Sequence, residues 1–173
     1  MKLKNYLFLI LTLSLLSCDF HKFDDNACEV CGNYYFRYID KTSVSFCGWT
    51  RKAIKKLDGN MHVPEKIYNL NVVEIRVVDK VRAVRDPCES PSYYYEDIKD
   101  YMSDVKSVVV PKTVNIIQGK VFDALTDIER ITFKKTSNWY AKDSSNSWVS
   151  VDVSNPTLNA SKLKNVGSLK NIP

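Results

Sequence analysis

Apolar and aromatic residues in this chain fall into short segments in which they alternate with polar residues. Tyr34–Ile39 shows the pattern, and a turn at Asp40–Lys41 separates it from Val44–Phe46. Similar segments, rich in β-branched residues, lie at 61–64, 72–77, 105–111 and 128–133. Because alternation with a period of two turns every second side chain towards a core, the pattern predicts a mainly β protein with short strands and turns.

One of these apolar patterns recurs at a spacing of 23 residues. The copies are Val105, Val108 and Val110, then Ile128, Ile131 and Phe133; Val72, Ile75 and Val77 form an earlier copy at a wider spacing, because the extra residues of an insertion at 86–104 lie between. A period of about 20 to 29 residues with this spacing is typical of leucine-rich repeats, in which stacked strands bury a ladder that no single copy could bury alone. The sequence therefore predicts a mainly β repeat solenoid, a short and degenerate leucine-rich-repeat stack with short strands and turns or short helical segments.

The segment from Pro111 to Ile128 closely resembles the BspA-like, treponemal type of leucine-rich repeat. The residues on characteristic positions of that repeat are Pro111, Val114, Ile117, Phe122 and Ile128. Gln118, Val121 and Leu125 replace its usual glycine, alanine and cysteine but leave the apolar ladder intact. The resemblance extends over roughly residues 34–165 and implies a surface protein that binds other proteins, as in adhesion to host matrix or to other cells.

The first residues of the chain have the pattern of an export signal. Lys2 and Lys4 precede an apolar run of 12 residues from Tyr6 to Ser17, which is shorter than the roughly 20 residues of a membrane-spanning helix. The run ends in Leu15–Cys18, which resembles the lipobox of bacterial lipoproteins, whose cysteine becomes the lipidated first residue. We therefore expect export, with a covalent lipid such as palmitate on Cys18 holding the protein to a bacterial membrane, at the outer membrane or cell surface.

These patterns divide the chain into four predicted parts. They are a signal peptide at 1–17, a lipidated tether at 18–33, a leucine-rich-repeat domain at 34–165 and a C-terminal tail at 166–173. The domain contains an irregular, tyrosine-rich insertion at 86–104, which continues into a helical turn around Asp97–Met102. The net charge of +5 is scattered along the chain, so nucleic acid, which selects a clustered basic face, is not an expected partner.

Five cysteines raise the question of disulfides or metal. With Cys18 lipidated, the remaining four are Cys28, Cys31, Cys47 and Cys88. An even number in an oxidising compartment favours two disulfides, and the sequence does not fix their connectivity. Cys28-x-x-Cys31 also has the spacing of half a zinc site and of a thiol–disulfide redox motif, so a small metal-binding cysteine protein stays an alternative.

Catalytic constellations are scarce in the sequence. The chain has two histidines, His21 and His62, and its acids are scattered over predicted turns. It contains no phosphate-binding glycine loop and no nucleophile-elbow motif. We therefore expect no enzymatic activity and no cofactor apart from the covalent lipid.

Two groups of residues are candidates for protein binding. One is the set of positions between the apolar residues of the predicted strands: Ser45, His62, Glu74, Arg76, Ser107, Val109, Arg130 and Thr132. The other is Tyr93, Tyr94 and Tyr95, since tyrosines are enriched in interfaces, although they could equally fold back as a cap. The sequence thus predicts a lipid-anchored bacterial surface protein with an adhesin-like, protein-binding module. A periplasm-facing structural envelope lipoprotein is the other alternative.

Overall fold

The computed structural model describes residues 27–76, 80–85, 92–119 and 121–173. The predicted signal peptide, Cys18, Val77 and Cys88 lie outside the described residues. For Ala27, Lys99 and the segments 80–85 and 92–96, only the backbone is described.

The described residues form fourteen short strands and three short helices. The strands are β1 (Ala27–Cys31), β2 (Tyr34–Tyr38), β3 (Ser43–Trp49), β4 (Asn60–His62), β5 (Lys66–Ile67), β6 (Leu70–Ile75), β7 (Lys80–Arg85), β8 (Ser92–Asp97), β9 (Ser107–Val110), β10 (Ile116–Ile117), β11 (Arg130–Phe133), β12 (Trp139–Lys142), β13 (Trp148–Ser150) and β14 (Leu169–Asn171). The helices are α1 (Arg51–Lys56), α2 (Lys99–Met102) and α3 (Pro156–Lys162). Within the described residues no helix has the length and apolarity needed to cross a membrane.

The helices begin at side-chain caps where the sequence provides them. The Thr50 hydroxyl accepts a hydrogen bond from the Ala53 amide at the start of α1. The Asn155 side chain accepts one from the Leu158 amide at the start of α3, and Pro156 occupies the first turn. Both arrangements satisfy amides that an isolated helix leaves unpaired.

A large mixed sheet contains eleven of the strands in the described part of the chain. Its order is β13-β12-β14-β10-β6-β3-β2-β1-β7-β8, with β5 paired to β6. The centre, β10-β6-β3, is parallel, and β1 pairs with β7 in parallel. The other pairings are antiparallel, including the hairpins β1–β2 and β7–β8. Of the predicted tether at 18–33, the first residues lie outside the described part of the chain, and Ala27–Cys31 forms the sheet strand β1.

A second, small sheet contains three parallel strands in the order β11-β9-β4. Val108 of β9 lies between Met61 of β4 and Ile131 of β11, and all three side chains are buried. The predicted stacking of the copy at 105–110 on the copy at 128–133 is confirmed at two rungs, Val108 on Ile131 and Val110 on Phe133. The pairing of β9 with β11 is the part of the predicted stack that the sequence located correctly.

The prediction of a repeat solenoid as the fold class is wrong, because the chain forms a mixed β-sheet domain. Val72 and Ile75 of the supposed earlier copy lie in β6 of the large sheet, between β3 and β10. Met61 of β4 takes the place beside β9 instead. Antiparallel strands then extend the large sheet on both sides. A period of two in hydrophobicity reports which side chains face a core, but it is the same for parallel and antiparallel partners.

One hydrophobic core joins the two sheets. Trp49 at the end of β3 packs its ring against Phe46 at 4.9 Å between centroids, and its indole N–H donates to the His62 carbonyl at 3.0 Å. On the other side, Phe133 of β11 packs on Trp139 of β12 at 5.0 Å. Each tryptophan therefore connects a strand of the large sheet to a strand of the small one.

The outer edge of β11 is closed by a side chain from α3. Asn159 is 1% exposed, and its amide nitrogen donates to the carbonyls of Ile131 at 2.9 Å and Val153 at 2.8 Å. An unpaired strand edge is prone to pairing with another chain. Asn159 occupies one such carbonyl and fixes α3 against the small sheet.

We expect Asn159→Ala to lower the free energy of unfolding by about 2–4 kcal/mol, because it leaves two buried carbonyls without a donor. Urea denaturation of the purified protein measures the change. Asn165→Ala, at an exposed position near the end of the same helix, is the control and should change stability by less than about 0.5 kcal/mol. Equal stability of the two variants would contradict the role given to Asn159.

Candidate binding face on the small sheet

Five of the predicted binding residues lie on one face of the small sheet. They are His62, Ser107, Val109, Arg130 and Thr132, and Asn60 joins them. Asn60, Ser107 and Arg130 form one cross-strand row, while His62, Val109 and Thr132 form the next. The buried row of Met61, Val108 and Ile131 lies between them. Since side chains alternate along a strand, all six point away from the core, and we call them the small-sheet face.

The register of these rows depends on a glycine. Gly59 has a φ of +72°, and a Cβ at this position would collide with the Asp104 carbonyl oxygen. The Gly59 carbonyl accepts hydrogen bonds from the Lys106 amide at 2.9 Å and the Ser107 amide at 3.1 Å. This close approach aligns the start of β4 with the start of β9. Only glycine permits such an approach without strain.

The backbone carbonyl of Lys106 positions the third strand, β11. The Lys106 carbonyl accepts hydrogen bonds from the Glu129 amide at 2.8 Å and the Arg130 amide at 3.3 Å. The Lys106 ammonium also pairs with Asp58 at 3.0 Å, in an exposed position where such a pair adds little stability. The backbone of Lys106 therefore sets both neighbouring strands, and with them the two rows of the small-sheet face.

The small-sheet face combines polar groups with an apolar centre. The Ser107 hydroxyl donates to the side-chain oxygen Oδ1 of Asn60 at 3.0 Å. His62 Nε2 lies 3.4 Å from the Tyr34 hydroxyl, and the two rings meet edge to face at 6.5 Å. Arg130 is exposed and forms no ion pair with any described carboxylate. The face thus presents a guanidinium that has no carboxylate partner among the described residues, together with hydrogen-bonding groups and Val109.

Glu74 and Arg76, which the sequence placed on the same stripe, lie on the large sheet. The Ser45 hydroxyl donates to the Glu74 carboxylate at 3.3 Å, and both residues line a polar pocket together with Arg37, Arg76 and Gln118. The predicted single stripe is therefore divided between two sheets. Arg37, Gln118 and Asn60 were missed, although aligning Met61 with Val108 and Ile131 would have located Asn60.

The tyrosine segment is a regular strand where the sequence predicted an irregular insertion. Tyr93, Tyr94 and Tyr95 lie in β8, antiparallel to β7, at one edge of the large sheet. The predicted helical turn after it is confirmed as α2. The tyrosine side chains lie outside the described residues, so binding by these tyrosines stays a prediction.

The close cysteine pair is divided between the two faces of β1. Cys28 and Cys31 are three residues apart in one strand, so their side chains point to opposite faces. Accordingly, Cys28 is buried and Cys31 is half-buried. This geometry fits neither a bond between the two nor shared coordination of one ion. Within the described part of the chain, no cluster of three metal-ligating side chains occurs.

Cys28, Cys31 and Cys47 are free thiols in the structure. Cys28 and Cys47 share a hydrogen bond. This bond lowers the pKa of Cys28, and the positive charges of Arg37 and Arg76 lower it further. The same bond raises the pKa of Cys47, and burial of that thiol also raises it. However, β2 lies between their strands. Two strand spacings are roughly 10 Å, beyond the roughly 7 Å that a disulfide spans between Cα atoms. A disulfide that includes Cys88 stays a prediction.

We expect N-ethylmaleimide to label Cys31 of the reduced, folded protein before Cys28 and Cys47, because both of these are buried. Peptide mass spectrometry after timed quenching gives the order, and labelling in urea is the control in which the difference disappears. Omitting the reductant tests a Cys31–Cys88 disulfide, which would prevent labelling of Cys31. Labelling of Cys28 or Cys47 as fast as Cys31 would contradict the packing of β1.

Comparison of the chain with family models, with curated protein sequences and with solved structures finds no match.

Proposed function

We propose that this chain is an exported, lipid-anchored bacterial protein that binds a protein ligand through the small-sheet face. The observation that carries the proposal is the alignment of six outward side chains in two rows across three parallel strands. The alignment comes from backbone hydrogen bonds, so these side chains are positioned before any ligand arrives. Preorganisation of this kind lowers the entropic cost of association.

The chemistry of the small-sheet face suits a macromolecule better than a small molecule. Small ligands are generally held in concave, mostly apolar clefts, whereas this face is the outer surface of a sheet. Arginine is enriched where proteins meet, and Arg130 has no described carboxylate within ion-pair distance. An acidic group on the ligand beside Arg130, with an apolar contact at Val109, would complement it.

The export signal supports a location where such a ligand is met. Leu15–Cys18 follows a basic start and a short apolar run, which is the arrangement that bacterial lipoprotein processing recognises. The domain then needs no membrane-spanning helix, since two or more acyl chains give stable anchoring. Tethering at a surface also raises the local concentration of the binding face, which compensates for a small contact area.

We expect Cys18→Ser to abolish membrane anchoring in a bacterium that processes lipoproteins. Because the thiol is the point of lipid attachment, the variant should move from the detergent-rich to the aqueous phase in detergent phase partitioning, and its intact mass should lack the lipid. Cys31→Ser, which leaves the attachment point in place, should partition like the wild type. A Cys18→Ser chain that stays in the detergent phase would contradict the anchor.

We expect His62→Ala/Arg130→Ala/Thr132→Ala to reduce adhesion of cells expressing the full chain to wells coated with a solubilised matrix extract. Loss of an interface arginine typically costs about 1–2 kcal/mol, so the half-maximal coating density should rise by about fivefold or more. Arg51→Ala/Lys55→Ala on exposed positions of α1 is the control for loss of positive charge. Equal adhesion of wild type and triple variant, at equal surface display, would overturn the assignment.

A further inference from the structure

The large sheet has a polar pocket that the proposed protein-binding face does not use. Its volume is about 130 Å³. Arg37, Ser45, Glu74, Arg76 and Gln118 line it, and Tyr38 and Ile39 complete the lining. A water molecule takes up about 30 Å³ in the liquid. The pocket therefore has room for about four waters or for a ligand of a few non-hydrogen atoms.

Sheet pairing places the lining residues close together. Arg37 of β2, Ser45 of β3 and Glu74 of β6 form one cross-strand row, so their side chains share a face. Arg76 and Gln118 directly follow β6 and β10. Their amides donate to the carbonyls of Phe46 and Ile75, each at 2.8 Å, and the lining is thus built from four neighbouring strands or their ends.

The charges of the pocket are not balanced within it. Neither Arg37 nor Arg76 forms an ion pair with any described carboxylate, and the recorded polar contact of the Glu74 carboxylate is with the Ser45 hydroxyl at 3.3 Å. Two guanidinium groups and one carboxylate leave a net charge of about +1.

We propose that this pocket binds a small monocarboxylate, with its carboxylate oxygens accepting hydrogen bonds from Arg37 and Arg76. Guanidinium groups match the planar geometry of a carboxylate and can bind it through two parallel hydrogen bonds. A single negative charge neutralises the excess of the pocket. Glu74 repels a second negative charge and so disfavours a phosphate dianion. The side chains of Ser45 and Gln118 can hydrogen-bond to a polar group on the ligand.

The same carboxylate chemistry could be supplied by a free molecule or by an acidic side chain of a peptide. The pocket volume admits the carboxylate end of either, because a peptide backbone would remain outside, so the two sources are distinguished by titration. Acetate and propionate are therefore the probes for the free ligand, and a blocked glycine-flanked glutamate peptide is the probe for the other source. Tighter binding of propionate than of the peptide assigns the pocket to a small molecule.

The test is a titration of the full-length protein followed by the NMR signals of the Gln118 side-chain amide and the arginine Nε–H groups. We expect saturable shifts with acetate and propionate. Arg37→Gln and Arg76→Gln should each weaken binding by about tenfold, as for loss of one hydrogen bond to a charged group. Arg51→Gln, on an exposed helix of the same chain, is the matched control and should bind as the wild type does.

Glu74→Gln gives a readout that a purely structural role would not produce. Removing the carboxylate raises the net charge of the pocket, so carboxylate should bind more tightly and inorganic phosphate should begin to compete. Linear, non-saturating shifts with both carboxylates would overturn the proposal. An equal loss in the Arg51→Gln control would overturn it too, as would unchanged phosphate binding in Glu74→Gln. Matrix adhesion by the small-sheet face should be unaffected in all four variants.

Discussion

The arrangement of the small sheet depends on one residue, Lys106, whose backbone N–H and C=O bond to the segments that begin the two neighbouring strands, β4 and β11. Its amide donates to the Gly59 carbonyl before β4, and its carbonyl accepts from Glu129 and Arg130 at the start of β11. Parallel strands have no hairpin to fix their register, so such contacts at the strand ends must do so. Once they are made, Met61, Val108 and Ile131 fall into one buried row, and the outward rows follow from the pleat. A side chain at position 59 would collide with the Asp104 carbonyl oxygen and would therefore disturb this register.

Part of the fold could be predicted from hydrophobic spacing and part could not. Val108 and Ile131 were matched correctly because both are the central apolar residues of the same short pattern. Val72 and Ile75 have that spacing as well, yet they pair within the large sheet. The spacing predicts which side chains of a strand point inward and which point outward. The neighbouring strand, however, is determined by contacts between residues that are distant in sequence. For the same reason the hairpin β1–β2 and the return of β14 to the sheet were missed: their residues read as tether and tail.

The candidate site was predicted to a similar extent. The alternation of side chains along a strand correctly predicted an outward face for His62, Ser107, Val109, Arg130 and Thr132. It also correctly predicted that Glu74 and Arg76 lie outside the core. It could not show that the last two belong to another sheet, or that Arg37 and Gln118 lie beside them. The spacing Cys28-x-x-Cys31 is typical of a zinc or redox site only when it lies in a turn or at the start of a helix. In strand β1 it turns the two thiols to opposite faces.

The domain therefore has two polar features on two sheets: the open small-sheet face, for which we propose a protein ligand, and a small charged pocket. Both depend on the pairing of short parallel strands, and the pairing of β9 determines the face. The most direct test is to record backbone NOEs in the isotopically labelled protein. The account predicts contacts from Val108 to Met61 on one side and to Ile131 on the other. Backbone contacts between Val108 and Val72 or Ile75, which would put β9 beside β6, would contradict it.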